Sequence, residues 1–358
     1  MTNATSLDDV AALSKLDPGG MLVSVAGLPA QCREAWSRAS GLRLPESYQD
    51  VDRIAVLGMG GSAIAGDLWR VLLQRESDVP VFNVRQYDLP PYVDERTLVI
   101  ASSFSGQTEE VLSSFKQALK KKSPKIVITS GGELLTTARA NGVPAFSYEF
   151  GGEPRAAIGW TLMPMLAIGE ALSLTNGIER DVDEAITAME QVAAESAADV
   201  PEAENGAKQL ARQLHDKLPV IYGAGPLTEV AHRWKTQLNE SAKTWAFYEE
   251  LPELHHNAVV SFDLPTSTAK ETAVVFLESA TLVHKRVNLR YQYTKDLLKK
   301  AGVATLSADA GTGSALAQMM SLVLLGDYVS TYLAFLYGVD PTPTTVIDEL
   351  KAWLGTQK

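Results

Sequence analysis

The chain is poor in cysteine, in histidine and in positive charge. Its 358 residues hold one cysteine, Cys32, and five histidines. One cysteine rules out an internal disulfide and suits a reducing cytoplasm. With no Cys or His cluster at ligand spacing, no structural zinc site is expected. Lysine and arginine number 32 against 43 acidic residues, a net charge of -11. No general field therefore draws the chain to nucleic acid or to an anionic membrane, and an anionic small molecule has to be held by local donors. A Gly-x-x-x-x-Gly-Lys-Ser/Thr loop is missing, which removes ATP hydrolysis of that kind. The most apolar long stretch, Met319 to Val339, is broken by Gly326-Asp327. It predicts a buried helix rather than a membrane span. The polar, acidic first ten residues do not suit a signal peptide.

What is present is an ordinary globular composition, 46% apolar and 21% charged, at a length that suits two domains. Residues 1–50 read as a helical, peripheral extension. From 51 to about 180, strand and helix patterns alternate, the sign of a parallel sheet with helices on both faces. Its candidate strands are Ile54–Leu57, Val81–Val84, Leu98–Ala101, Lys125–Thr129 and Ala145–Tyr148. The Ala- and Glu-rich stretch 181–206 reads as a helix plus linker. The pattern then restarts over 205–358, with strands at Pro219–Tyr222, Thr272–Leu277 and Ala304–Leu306 and a helix from Thr228.

Two short segments carry the strongest chemical signal. Gly58-Met59-Gly60-Gly61-Ser62 follows the strand Ile54–Leu57, and Ser102-Ser103-Phe104-Ser105-Gly106-Gln107-Thr108 follows Leu98–Ala101. A strand, then small residues and hydroxyls, then a helix start makes an anion site. Glycines let the backbone approach, free N–H groups and the helix dipole attract negative charge, and Ser103, Ser105 and Thr108 add donors. Two such loops at neighbouring strand ends converge on one phosphate, which favours a sugar phosphate over a nucleotide. A dinucleotide reading of Gly58-x-Gly60 lacks the third glycine, although Arg85 would suit a 2′-phosphate. The second half has only Glu278-Ser279-Ala280 at the matching strand end, so the phosphate is expected on the first half.

Other candidates are weaker one by one. On the helix from Thr228, Val230, Ala231, Trp234, Leu238 and Ala242 form the core stripe. Arg233, Gln237, Glu240 and Thr244 form another, which spacing alone favours as a solvated face. The sharper reading sends Glu240 into a cleft, oriented by Arg233 or Gln237. His255-His256 lie beside a proline-containing turn, where a histidine is more often a surface residue but is also the best proton-transfer group at neutral pH. Arg155, in Gly151-Gly152-Glu153-Pro154-Arg155, could meet an anion or be a surface charge. The segment Val346 to Leu354 reads as a helix with Val346, Ile347, Leu350, Trp353 and Leu354 free to pack and Lys351 exposed.

Taken in order, the two loops, Pro154-Arg155, Asn239-Glu240, His256-Asn257 and Ile347-Asp348-Glu349-Leu350-Lys351 resemble the bifunctional phosphoglucose/phosphomannose isomerases of the sugar isomerase (SIS) superfamily. The resemblance implies an α/β fold of two SIS domains, each a parallel sheet sandwiched between helices, and a cytoplasmic homodimer with its site at the subunit interface. It implies metal-independent, cofactor-free interconversion of glucose 6-phosphate and mannose 6-phosphate with fructose 6-phosphate through a cis-enediolate. Gly61, Ser62, Ser103, Ser105 and Thr108 would hold the phosphate, and Glu240 would move the proton between C1 and C2. His256, from the other subunit, and Lys351 would open the ring, Arg155 would stabilise the enediolate, and Thr344 would sit near the C1–C2 end. Gln107 stands where the family more often has Asn, and Trp160 where a tyrosine is common. A non-catalytic SIS regulator is the alternative. It is disfavoured because no basic or DNA-binding segment is present and Glu240, His256 and Lys351 would go unexplained. An amidotransferase-linked synthase would need an N-terminal cysteine nucleophile, and Cys32 sits inside a short helical segment.

Overall fold

A computed structural model describes residues 6–357. The chain opens with three helices, α1 (Val10–Leu16), α2 (Met21–Ala26) and α3 (Leu28–Ala39). The first half then runs β1 (Arg53–Leu57), α4 (Gly60–Leu73), β2 (Val81–Val84), β3 (Thr97–Ser103), α5 (Glu109–Ala118), β4 (Lys125–Thr129), α6 (Gly132–Ala140), β5 (Ala145–Ser147) and α7 (Ile158–Ala171). A long helix, α8 (Ile178–Glu195), leads to the second half: α9 (Gly206–Leu214), β6 (Leu218–Ala224), α10 (Leu227–Glu240), β7 (Phe247–Leu251), α11 (Thr266–Glu271), β8 (Thr272–Glu278), α12 (Lys285–Ala301), β9 (Ala304–Asp309), α13 (Ala315–Leu336) and α14 (Thr345–Gly355).

Each half is built on one parallel sheet, in the orders β2-β1-β3-β4-β5 and β7-β6-β8-β9. The two are alike at their centres, β1 pairing β2 and β3 as β6 pairs β7 and β8. Strands β3 and β4 are buried along their whole length, so both faces of the first sheet are covered. One face meets α5 and α6 through Val99, Ala101, Phe115, Val127 and Leu134, and the other belongs to the main core shared with the second half.

That main core takes in more of the N-terminus than the sequence suggests. The first fifty residues are helical but not peripheral: Leu7, Leu13, Met21, Leu28, Cys32 and Trp36 are all buried in it. The stretch 181–206 is the helix and linker its composition suggests: α8 runs to Glu195, lying against α13 and α3, and residues 196–205 connect it to α9. Among the described residues α13 alone is long and apolar enough to cross a membrane, and it is buried inside the protein, as the break at Gly326-Asp327 led us to expect.

The halves meet where α4 lies against α10. Asp67 pairs with Arg85 and accepts from Asn83 at 2.6 Å. Glu229 pairs with Arg70 and lies 3.4 Å from His232 Nδ1, and His232 stacks on Tyr248. Asp67, Glu229 and His232 offer ligand atoms within 4.8 Å of one another, yet each carboxylate is already matched by a guanidinium. The cluster is a charge-balanced seam. Arg85, the residue a dinucleotide reading needs, is engaged in it.

Candidate active site

The two hydroxyl loops come together because β1 and β3 are neighbours. The Phe104 N–H donates to the Ser62 hydroxyl at 3.2 Å, tying one loop to the other. Ser103 Oγ and Thr108 Oγ1 lie 2.8 Å apart, and Ser103 also accepts from the Gly106 N–H at 3.1 Å. Ser105 is exposed and accepts from the Gln107 N–H. Neither α4 nor α5 has a side-chain cap, so their first N–H groups face the loops without a side-chain acceptor. Gly106 has to be glycine. Its φ is +64°, and a Cβ there would stand 1.9 Å from the Gly131 carbonyl.

Arg155 stands beside these loops. A Cβ on Gly61 would meet the Pro154 carbonyl at 3.0 Å, so the anion loop and the arginine's segment touch through bare backbone. Gln31 of α3 holds the same segment from behind. Its amide donates to the Ala156 carbonyl at 2.9 Å and accepts from the Gly159 N–H at 2.7 Å. The arginine is not the surface charge its loop allowed: its side chain is 2% exposed. Nη2 donates to the carbonyls of Pro341 and Thr342 at 2.7 and 2.6 Å, and Nε to Ser241 Oγ at 3.3 Å. Among the described residues, the partners of Nη1 are looser, Glu153 at 3.4 Å and Glu240 at 3.7 Å. Burial pulls the Arg155 pKa down, and the charge of Glu240 is the largest opposing influence.

Glu240 is the last residue of α10, partly exposed next to that buried cation. The stripe that led to it is not a solvated face. Arg233 and Gln237 are buried, and they do not orient Glu240. Both bind Asp327 of α13, at 2.7 and 2.8 Å, and Arg233 also donates to the Arg155 carbonyl at 3.0 Å. Asp327, which the sequence shows only as a break in an apolar run, thus holds α10 and Arg155 in register. Its burial raises its pKa, and Arg233 is the chief influence keeping it down.

The remaining candidates are not joined to this pair. Between the two histidines the structure draws a clear distinction. His255 Nε2 lies 2.6 Å from Thr294 Oγ1, and its Nδ1 meets Arg290 at 3.0 Å. Burial, then Arg290, lowers its pKa. His256 is exposed, at the end of a short 3-10 turn, Glu253–His256. Lys351 is 73% exposed and sits 3.6 Å from Asp348. Its helix, α14, buries none of the apolar residues predicted to pack. Thr344 is the residue just before that helix, half-buried.

Two halves, each built on a parallel sheet, match what comparison finds. The family profile of the bacterial phospho-glucose isomerase C-terminal SIS domain covers residues 203–354, and that of the SIS domain covers 47–139. A bifunctional phosphoglucose/phosphomannose isomerase of Caldicellulosiruptor bescii is 40% identical over 92% of this chain and 98% of its own. The chain belongs to the bifunctional phosphoglucose/phosphomannose isomerase family. An Aquifex aeolicus member is 34% identical over 83% of this chain and 89% of its own. A solved structure, a hypothetical protein from Thermus thermophilus, shares the fold at a TM-score of 0.75 and 18% identity, over 96% of this chain and 92% of its own. The two matched SIS regions fall on the two halves of the chain that carry the parallel sheets.

Proposed function

We propose that this protein is an aldose–ketose isomerase that interconverts glucose 6-phosphate and mannose 6-phosphate with fructose 6-phosphate in the cytoplasm. The observation that carries this reading is Glu240 at a helix end, 3.7 Å from a buried arginine whose other donors are anchored. Isomerisation needs a base that takes the proton from one carbon and returns it to the next, and a carboxylate held at a fixed place beside the two carbons does this. The cis-enediolate formed between the two transfers is negative. Arg155, held by Nε and Nη2 and loose at Nη1, has a donor to give it at no cost in reorganisation. Gly61, Ser62, Ser103, Ser105 and Thr108 take the phosphate through backbone and hydroxyl donors. Thr344 stands toward the C1–C2 end, where rotation about C2–C3 lets both epimers react.

His256 and Lys351 divide ring opening between a proton acceptor and a donor. Both are exposed in the single chain, which supports a homodimer whose site is completed at the interface. The apolar side of α14, with Trp353 and Val346 exposed, gives a second copy apolar area to cover.

A coupled assay in EDTA, with mannose 6-phosphate and glucose 6-phosphate supplied separately, tests the reaction. Both are expected to yield fructose 6-phosphate, and no product from either overturns the reading in favour of a sugar-phosphate-binding regulator. Glu240→Gln is expected to keep phosphate binding and lose roughly 10²- to 10⁴-fold in turnover. A near wild-type rate removes Glu240 as the base. Mixing Glu240→Gln chains with His256→Ala chains tests the shared site. Activity that neither has alone is expected. No recovery in confirmed mixed dimers returns His256 to its own chain.

A further inference from the structure

Directly after Glu240 the backbone does something unusual for its sequence. Lys243 takes a left-handed φ of 56°, a region that side chains other than glycine enter sparingly. That bend carries its ammonium back under the end of α10. There it donates to the Glu240 carbonyl at 2.5 Å, to the Pro343 carbonyl at 2.6 Å and to the Pro341 carbonyl at 3.2 Å. The Glu240 carbonyl lies in the last turn of a helix, where acceptors lack intrahelical partners and the dipole favours a cation. The other two lie on the strap between α13 and α14, where Arg155 Nη2 grips Pro341 and Thr342. Three successive carbonyls, 341 to 343, therefore each accept from a cation, and the two cations share the one at Pro341.

This matters because, within one chain and among the described residues, α14 buries no side chain against the rest of the fold. Its place in the chain therefore depends on Pro341–Thr344. Thr342 is held in addition by its N–H to Asp340 at 2.8 Å. We infer that Lys243 is a positioning residue, acting with Arg155 as a two-cation clasp that sets where Thr344 and α14 stand relative to Glu240. It is not itself a substrate-binding group: an ammonium has three N–H donors and all three are engaged, so contact with substrate would release a carbonyl. The inference rests on the isomerase reading for its kinetic consequence, since Lys351 on α14 serves ring opening there. Its structural part does not.

The test compares Lys243→Met and Lys243→Arg, both of which keep a side chain at the left-handed position. Hydrogen exchange over residues 341–355 reads the clasp without any turnover. Faster exchange there in Lys243→Met, with an unchanged melting temperature and with Lys243→Arg closer to wild type, is expected. Unchanged exchange, or a melting temperature that falls for the whole protein, overturns the clasp. In the active enzyme, kcat of Lys243→Met is expected to fall roughly 10- to 100-fold, the effect of a small misplacement of reacting groups, with KM within a few-fold. The isotope effect with C2-deuterated glucose 6-phosphate should shrink as ring opening becomes the slow step. A wild-type kcat and isotope effect overturn the positioning role. A wild-type enzyme without activity sinks the isomerase reading instead, and leaves the exchange result to judge the clasp.

Discussion

The loop after β3 and the loop after β8 occupy the same station in their sheets, and only one is open. After β3, Ser103 and Thr108 face one another, Ser105 reaches solvent and α5 begins without a cap. After β8, Ser279 is buried and fully engaged. Its hydroxyl donates to Gln318 at 2.7 Å and accepts from the Leu282 and Thr281 N–H groups. Gln318, reaching in from α13, also donates to Thr281 and to the Gly313 carbonyl. One copy of the architecture leaves a hydroxyl open to solvent, and the other commits its hydroxyl to the protein's own helix. What the second half contributes under the proposed reading is different, the carboxylate at the end of α10.

Two substitutions press on this difference, the larger effect first. Gly106→Ala puts a Cβ into the Gly131 carbonyl at a φ that disfavours it. The loop should lose its shape, and affinity for fructose 6-phosphate by calorimetry should drop by roughly 10²-fold, as misplaced binding groups cost. Affinity within a few-fold of wild type would mean that the loop's shape is not what holds the phosphate. Ser279→Ala should do the reverse. It leaves Gln318 Oε1 and the Leu282 N–H without partners, which costs about 1–3 kcal/mol in stability by denaturant melting. KM should stay unchanged, and a raised KM would show that the second loop also meets substrate.

Much of this was legible in the sequence because it rests on local pattern. The strand starts at Val81 and Lys125 come from short apolar runs beside turns, and the hydroxyl loops from their place after such runs. β7 was not legible. It is an edge strand in which Phe247, Tyr248, Glu249 and Glu250 are all exposed, so neither alternation nor an apolar run marks it. The N-terminal helices have 7 and 6 residues in α1 and α2, too few turns for a periodic stripe, and their burial was missed for that reason. Arg233, Gln237 and Asp327 mislead for a different reason. Each looks solvated by type, and only contact between distant helices makes a buried network of them. The apolar stripe of α14 is real, but its partner is not in the same chain segment or anywhere else among the described residues of this chain.

The contact between Gly61 and Pro154 has a consequence for choice of substrate. The hydroxyl loops and Arg155 share one mount, braced by Gln31, which sets the spacing between the proposed phosphate loops and the Glu240–Arg155 pair. Such a site works as a gauge. On the isomerase reading proposed above, it would measure how many carbons separate a phosphate from a carbonyl while leaving the configuration at C2 free, as an enzyme serving two epimers of one length requires.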